Sequence, residues 1–486
     1  MRQGGRHRFA GFGLSLFLVT AMIGCTVGQN YLPAEVSIGI EDNWQATSFK
    51  AAGQFDPHRQ PMTSWWRQFH DETLSGLIDQ LVFSNLALAQ ARQRVIEISA
   101  RQGVVQADKQ LQLAAALSYT HAEAGDRAVS FQGPPAGVSK DLFAAGVVAG
   151  WELDLWGRTA RLVEAAGADI GAGYADYQGM MVSLAAELTL AYFNERTLEA
   201  RLDMARHNIG LQEKTVELTQ SRLQAGNGTS LAVERTRRLL QSTLSRVPEL
   251  ERALATARNR INVLLGLPPG QESIQPGSLP VVPRLIGIGL PADLLVRRPD
   301  IRRAFHLYHS AMARTGAAEA EKYPRLSLTG TLTLSSDTIG GLADPDSLIY
   351  TLGPGLSFPL LTGGRIASNI KVRKSQSEQA RLALEQKIVE ALAEVESSAV
   401  GVVRSQEQIT ALDSAEQSAR KSVEMADALY QAGLGDFFQV LDTEQQLVAA
   451  QESLLLARQQ ALSEVVTLYR ALGGGWGSET TNLSRR

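Results

Sequence analysis

The chain has 486 residues, 44% of them hydrophobic and only 6% aromatic, with 17 prolines and one cysteine. It is long and apolar enough to bury a large core, which excludes a disordered chain. The net charge of −3 and the lack of any run of five or more Lys and Arg residues exclude the basic field that nucleic-acid binders use.

The N-terminus reads as an export signal over residues 1–24. "MRQGGRHR" supplies a positive stretch, "FAGFGLSLFLVTAMI" an apolar one, and Gly24 a small residue ahead of Cys25. The apolar stretch is too short for a spanning helix. A single cysteine makes no intrachain disulfide, so its position has to explain it. "MIGC" resembles the bacterial lipobox, with Met22 where leucine is commoner. The resemblance implies cleavage before Cys25 and a covalent lipid on its thiol. Thr26 stands where an aspartate would resemble an inner-membrane retention signal, so the implied destination is the outer membrane. No later segment has 18 uninterrupted apolar residues, so a passage through a membrane must use strands.

Further along, period-2 alternation predicts strands at about 114–124 and 142–155. Leu117 and Tyr119 oppose Ser118 and Thr120; Phe143, Val147, Trp151, Leu153 and Leu155 oppose Gly146, Gly150, Glu152 and Asp154. Residues 158–225 hold no proline and are rich in Ala, Leu, Glu, Gln and Arg, which predicts one helix of roughly 100 Å at ~1.5 Å per residue. It is interrupted at "AGNG" and followed by a shorter helix over about 229–265, which "LLGLPPGQ" stops. "PADLLVRRPDI" starts another, with Pro299 at the first helical position and Asp300 near the positive end of the dipole.

Strands recur at about 325–336 and 347–360. In "LSLTGTLTLS" leucines share one face and Ser and Thr the other; in the second strand Leu348, Tyr350, Leu352, Leu356, Phe358 and Leu360 share a side. A second proline-free helix over 365–432, a turn at "AGLG" and a helix over about 436–472 follow. Strands of about 9 to 11 residues with one apolar and one polar face suit a transmembrane barrel. Two soluble hairpins on a core fit the pattern too, and the export signal weighs against them.

The elements repeat. Gln224, Ala225, Gly226, Gly228, Val233, Thr236 and Leu240 reappear 207 residues on as Gln431, Ala432, Gly433, Gly435, Val440, Thr443 and Leu447, and Gly157–Arg158 as Gly364–Arg365. One offset at distant anchors means internal duplication. The expected division is a lipidated N-terminal segment at 25–70, a first repeat at 71–289, a second at 290–472 and a tail at 473–486. Four strands cannot close a barrel, and open edges in lipid are costly, so the chain must oligomerise; strand count permits a dimer or a trimer.

"GLPADLLVRRPDIRRA" (289–304), "YPRLSLTG" (323–330), "GPGLSFPLLTGGR" (353–365), "WELDLWGR" (151–158) and "LYRALGGGW" (468–476) resemble the TolC-like outer-membrane factors, and more narrowly their NodT-type lipoprotein branch. "VGQNYLP" (27–33) departs from the pattern, which usually has proline after the glycine. The resemblance implies a mainly α fold with a membrane β-barrel portion. Three copies would share a 12-stranded barrel, a long helical periplasmic tunnel and an equatorial collar drawn from about 30–70, 267–290 and the tail. It also implies a passive outer-membrane duct of a tripartite efflux system, with a periplasmic adaptor and an inner-membrane transporter as partners. By this resemblance Gly226 and Gly433 are the tip glycines that meet the adaptor. Phe438, Gln439 and Asp442 match the periplasmic gate, with Phe438 and Asp442 four apart on one helix face; packing of Phe438 between helices is the plainer alternative.

The remaining motifs read blandly. His306 and His309 lie three apart on a helix without a third ligand, and "NGT" at 227–229 is a sequon by spelling alone. Trp151 and Trp156 suit either an interfacial anchor or ordinary packing. No phosphate loop, nucleophile elbow or acid/base carboxylate pair is found, so neither an enzyme nor a cofactor is expected beyond the lipid on Cys25. The competing class is a non-channel periplasmic helical scaffold lipoprotein, which has no need of amphipathic strands.

Overall fold

The structure is a computed structural model and describes residues 26–30, 44, 55–56, 63–123, 139–271, 274–283 and 285–474. The export signal, Cys25 and the tail beyond 474 lie outside the described residues. The helices are α1 (Glu72–Ser84), α2 (Leu86–Ala107), α3 (Arg158–Gln224), α4 (Ser230–Leu264), α5 (Pro299–Ala320), α6 (Arg365–Gln431) and α7 (Phe437–Ala471), with a helical turn at Leu294–Arg297. The strands are β1 (Phe55–Asp56), β2 (Gln112–Glu123), β3 (Ser139–Leu153), β4 (Ile286–Gly287), β5 (Arg325–Ser336) and β6 (Leu348–Ser357). Among the described residues no helix is long and apolar enough to cross a membrane.

The duplication carries two offsets. The helices α3 and α6 are both 67 residues long, and α4 and α7 both 35, with starts and ends 207 apart. The preceding elements, α2 with α5 at 22 residues each and β2 with β5 at 12 each, lie 213 apart. The shift falls between the two strands of each hairpin, where the second copy is shorter. A connection between paired strands tolerates such a difference because its closure entropy changes slowly with length.

The chain divides into two compact units. The first holds residues 94–173 and 304–384, as far as these are described, together with residues 26–30, and its centre is an antiparallel sheet in the order β2-β3-β5-β6. Register aligns the alternation across all four strands. Tyr119 pairs with Phe143, Val147 with Leu332, and Leu332 with Tyr350, so one face is apolar from edge to edge. Val148, Thr331 and Thr351 lie across the other face, where the two threonine hydroxyls are 2.6 Å apart. The apolar face is uncovered: Leu117 is 85% exposed and Tyr350 and Leu352 76% each. In water such a face would be unstable, so its partner is hydrocarbon. Among the described residues the outer edges of β2 and β6 have no strand partner. In the same unit, Ala318 of α5 packs with Ile366 and Ile370 of α6.

The second unit is helical, with a small parallel pair of β1 and β4 at its margin. Its α3 and α4 meet through Leu198, Leu202 and Ala205 against Leu250, Leu254 and Ala257, at the helical spacing of one apolar stripe. An aromatic cluster fixes the segment before α1. Trp65 is fully buried and stacks on Tyr469 at 5.2 Å, and Phe69 meets Phe193 edge-on at 5.0 Å. Asp71 caps α1 by accepting from the Leu74 amide, and its other oxygen accepts from the Tyr192 hydroxyl at 2.6 Å.

Candidate functional site

The two turns predicted from the glycines are each built the same way. At the first, the Gly226 amide donates to the Leu223 carbonyl and the Asn227 amide to Arg222. At the second, Gly433 donates to Tyr430 and Leu434 to Leu429. Both are Schellman closures, which need a left-handed residue, and Gly226 and Gly433 have φ of +75° and +73°. Space is not their constraint, since a Cβ at either would meet nothing within 4 Å. The next glycine is held by proximity instead: a Cβ on Gly228 would lie 2.9 Å from the Leu223 nitrogen. The returning helices are then capped by Thr229, accepting from the Ala232 amide, and Asp436, accepting from the Phe438 amide.

The turns are joined by arginines of the first copy and aromatics of the second. The Arg222 guanidinium lies 4.4 Å from the Tyr430 ring centre and donates to its hydroxyl. The Arg235 guanidinium lies 4.2 Å over the Phe438 ring. Of the residues matched to the gate, Phe438 is half-buried under Arg235, while Gln439 and Asp442 are exposed. Asp442 accepts from the Gln446 side chain at 2.8 Å. The neighbouring Phe437 is the buried ring, 5.2 Å from Tyr430. Sequence reasoning missed both arginine–aromatic pairs.

Deeper along the helices, Glu452 of α7 accepts from Arg201 of α3 at 2.5 Å and from Arg246 of α4 at 3.4 Å. Burial, and then the charge of Asp427, push the Glu444 carboxyl above its ordinary range. Glu195 is wholly buried, and burial, then the charge of Glu199, raise its carboxyl although Arg258 donates to it at 3.0 Å. His309 Nε2 meets Glu164 Oε1 at 2.9 Å, and the His306 ring lies over Gly171. Among the described residues no cluster of three metal-ligating side chains occurs. The Trp151 indole donates to the Lys109 carbonyl, and that of Trp156 to Pro324 while its ring stacks on Tyr323 at 4.8 Å.

A four-stranded amphipathic sheet, two matched helical hairpins and glycine-closed turns form one arrangement, duplicated. Residues 77–267 and 290–474 match the outer membrane efflux protein family, and the two matched stretches start 213 apart and end 207 apart, as the two halves of each repeat do. The chain belongs to that family. Among its relatives, nodulation protein T of Rhizobium leguminosarum bv. trifolii is 27% identical over 472 residues, 95% of this chain and 96% of that one. The probable outer membrane lipoprotein SilC of Salmonella typhimurium is 26% identical over 419 residues, 85% and 88% of the two chains. The solved outer-membrane channel OprN superposes with a TM-score of 0.84 at 29% identity, over 93% of this chain and 100% of that one. This outer membrane efflux protein is therefore an efflux channel of the outer membrane with the TolC-like fold.

Proposed function

We propose that three copies of this chain close one 12-stranded barrel and serve as the passive outer duct of a tripartite efflux system, taking small molecules from an inner-membrane transporter and a periplasmic adaptor to the exterior. The observation that carries this reading is the sheet: four strands, an exposed apolar face and two unpartnered edges among the described residues. Unpaired backbone groups in lipid cost several kcal/mol each, so closure between copies is required; the family fold selects three. Conduction needs no chemical step, and none is assigned. A covalent lipid on Cys25 would be the second hold on the membrane, in keeping with the lipoprotein name of SilC. The turns at Gly226 and Gly433 would meet the adaptor, and Phe438, Gln439 and Asp442 would line the periplasmic constriction. Mass measurement of the detergent-solubilised particle and conductance in planar bilayers test the reading together. A trimer that conducts is expected, and a non-conducting monomer would favour a periplasmic scaffold.

A further inference from the structure

The described residues nearest Cys25 are held in a socket that no function assigned above requires. Arg161, near the start of α3, has a side chain only 5% exposed. Its Nε donates to the Val27 carbonyl at 3.2 Å, and its Nη2 to the Gly28 carbonyl at 3.1 Å and to Asn30 Oδ1 at 2.8 Å. Its Nη1 is held by Glu164 at 2.8 Å, and Glu164 in turn meets His309. The Val27 amide donates to the Trp156 carbonyl at 3.0 Å, so this short segment is gripped through both its amide and its carbonyls.

Fit is as specific as hydrogen bonding. Gly28 has φ of +96°, and a Cβ there would come 2.6 Å from the Gly316 Cα. A Cβ on Gly316 would in turn sit 3.2 Å from both Arg161 Nε and the Val27 oxygen. Two glycines back to back thus let the segment pass between α3 of the first repeat and α5 of the second. Ordering a terminal segment loses conformational entropy, which only such contacts offset.

The duplication supplies an internal comparison. At the offset of 207, Gly157 and Arg161 correspond to Gly364 and Ser368. Both glycines have positive φ, but a Cβ on Gly157 would lie 2.7 Å from Thr26, whereas one on Gly364 would meet nothing within 4 Å. The arginine and its occupant occur together, in one copy.

We propose that Arg161 is a positioning residue for the lipidated N-terminus: with Gly28 and Gly316 it seats residues 26–30 as a staple between the two repeats, fixing where the acyl chains leave the protein. The lipid part of this statement rests on the reading of Cys25 as acylated; the socket does not. The test uses the full-length protein in detergent, with hydrogen exchange at the Val27 amide and palmitate labelling read separately. In the unmodified protein the Val27 amide is expected to be protected. Arg161→Ala removes the three charge-assisted hydrogen bonds to the segment and should speed its exchange by about tenfold or more. Gly28→Ala attacks the socket from the segment, outside the core, and should do the same while the sheet keeps its protection. Palmitate labelling should survive both changes, and Cys25→Ser should abolish the label without releasing Val27. An unprotected Val27 in the unmodified protein, or protection unchanged in Gly28→Ala, overturns the socket. Protection lost in Cys25→Ser but kept in Arg161→Ala would show that the lipid holds the segment, and overturns it equally. An unmodified protein that takes no label refutes acylation while the exchange results still judge the socket.

Discussion

The Arg298 guanidinium donates from Nη1 to the Ala471 carbonyl at 2.8 Å, closing the end of the last helix. In the first copy Asn85, 213 residues earlier, donates to the Leu264 carbonyl at 2.7 Å, 207 residues before Ala471. After each carbonyl comes a left-handed glycine, Gly266 or Gly473, with φ of +71° in both, seated against the backbone of Ser84 or of Arg297 and Arg298. One joint has been kept while its side chain diverged.

The divergence predicts unequal costs. Arg298 also pairs with Asp300 at 2.7 Å and with Glu394 at 2.8 Å, and its own side chain is 8% exposed. Arg298→Ala leaves a buried carbonyl unsatisfied and strips a carboxylate of its partner, for a loss of about 2–3 kcal/mol. Asn85→Ala loses the Leu264 contact and the cap that the Leu88 amide finds on Asn85 Oδ1, for about 1–2 kcal/mol. Thermal melts of the two variants in one detergent rank them; an Asn85 effect larger than that of Arg298 would contradict the assignment.

Asp300 gives this joint a pH signature. Burial pulls its carboxyl up, but the hydrogen bond and charge of Arg298 outweigh that and leave it below the ordinary 3.8. A depressed acid contributes stability above its unfolded value and loses it as pH falls through the folded one. Asp300→Asn should therefore lower the melting temperature at pH 5 to 8, and the difference should narrow as pH falls below the ordinary 3.8 and close only below the folded value. A gap that does not narrow as pH falls below 3.8 would mean that charge is not the cause.

The second half of each repeat was legible in the sequence because its anchors are chemically constrained. Gly226 and Gly433 need positive φ, and proline-free runs needed helices, so identities survive at 207. The repetition of the first half was not legible. Between α2 and α5 the shared residues at 213 are Ala91 with Ala304, Ala100 with Ala313, Arg101 with Arg314, Gly103 with Gly316 and Ala107 with Ala320, small or common types that amphipathic helices accept almost anywhere. The alternation of β3 and β5 told which face is apolar, because register with period 2 admits no other outcome. The pairings of Arg222 with Tyr430 and Arg235 with Phe438 join residues about 200 apart, which periodicity cannot reach.

The turn glycines should respond differently to one methyl group. Gly226→Ala and Gly433→Ala meet no obstacle, so their cost is the left-handed backbone alone, about 1 kcal/mol. Gly228→Ala, at a position that is not left-handed, instead collides with the Leu223 backbone and should cost more. Hydrogen exchange of the amides of Asn227 and Leu434 reads the two effects locally; equal exchange in Gly226→Ala and Gly228→Ala would refute the distinction.

Glu444 runs opposite to Asp300. Burial and the nearby Asp427 raise its carboxyl, so its charged form is the costly one. Stability from a raised acid is present below the unfolded value and lost as pH rises through the folded one. Glu444→Gln should then raise the melting temperature at pH 7.5 and make no difference near pH 4. A destabilised variant at neutral pH would show that the carboxylate has a partner worth more than its burial.

The gate reading makes the sharpest demand on Phe438 and Asp442. In one chain Phe438 is already occupied, lying 4.2 Å beneath Arg235, whereas Asp442 is exposed and held by Gln446. Threefold symmetry would turn Asp442 into a ring of carboxylates that repel one another and attract cations, next to a ring of aromatics that excludes water. The first copy adds no acid, because Arg235 stands at the equivalent position. If Phe438 only packs under Arg235, then Phe438→Ala and Arg235→Ala should be equally and mildly destabilising, by about 0.5–1 kcal/mol, and neither should change conduction. If it lines the constriction, the double variant Phe438→Ala with Asp442→Ala should raise single-channel conductance and reduce cation preference while the particle mass stays that of the unmodified oligomer. The second outcome is expected, because packing beneath one arginine leaves part of the ring exposed and the carboxylate has no cationic partner among the described contacts. Conductance that is unchanged in the double variant would put the narrowest point of the duct elsewhere along the helices.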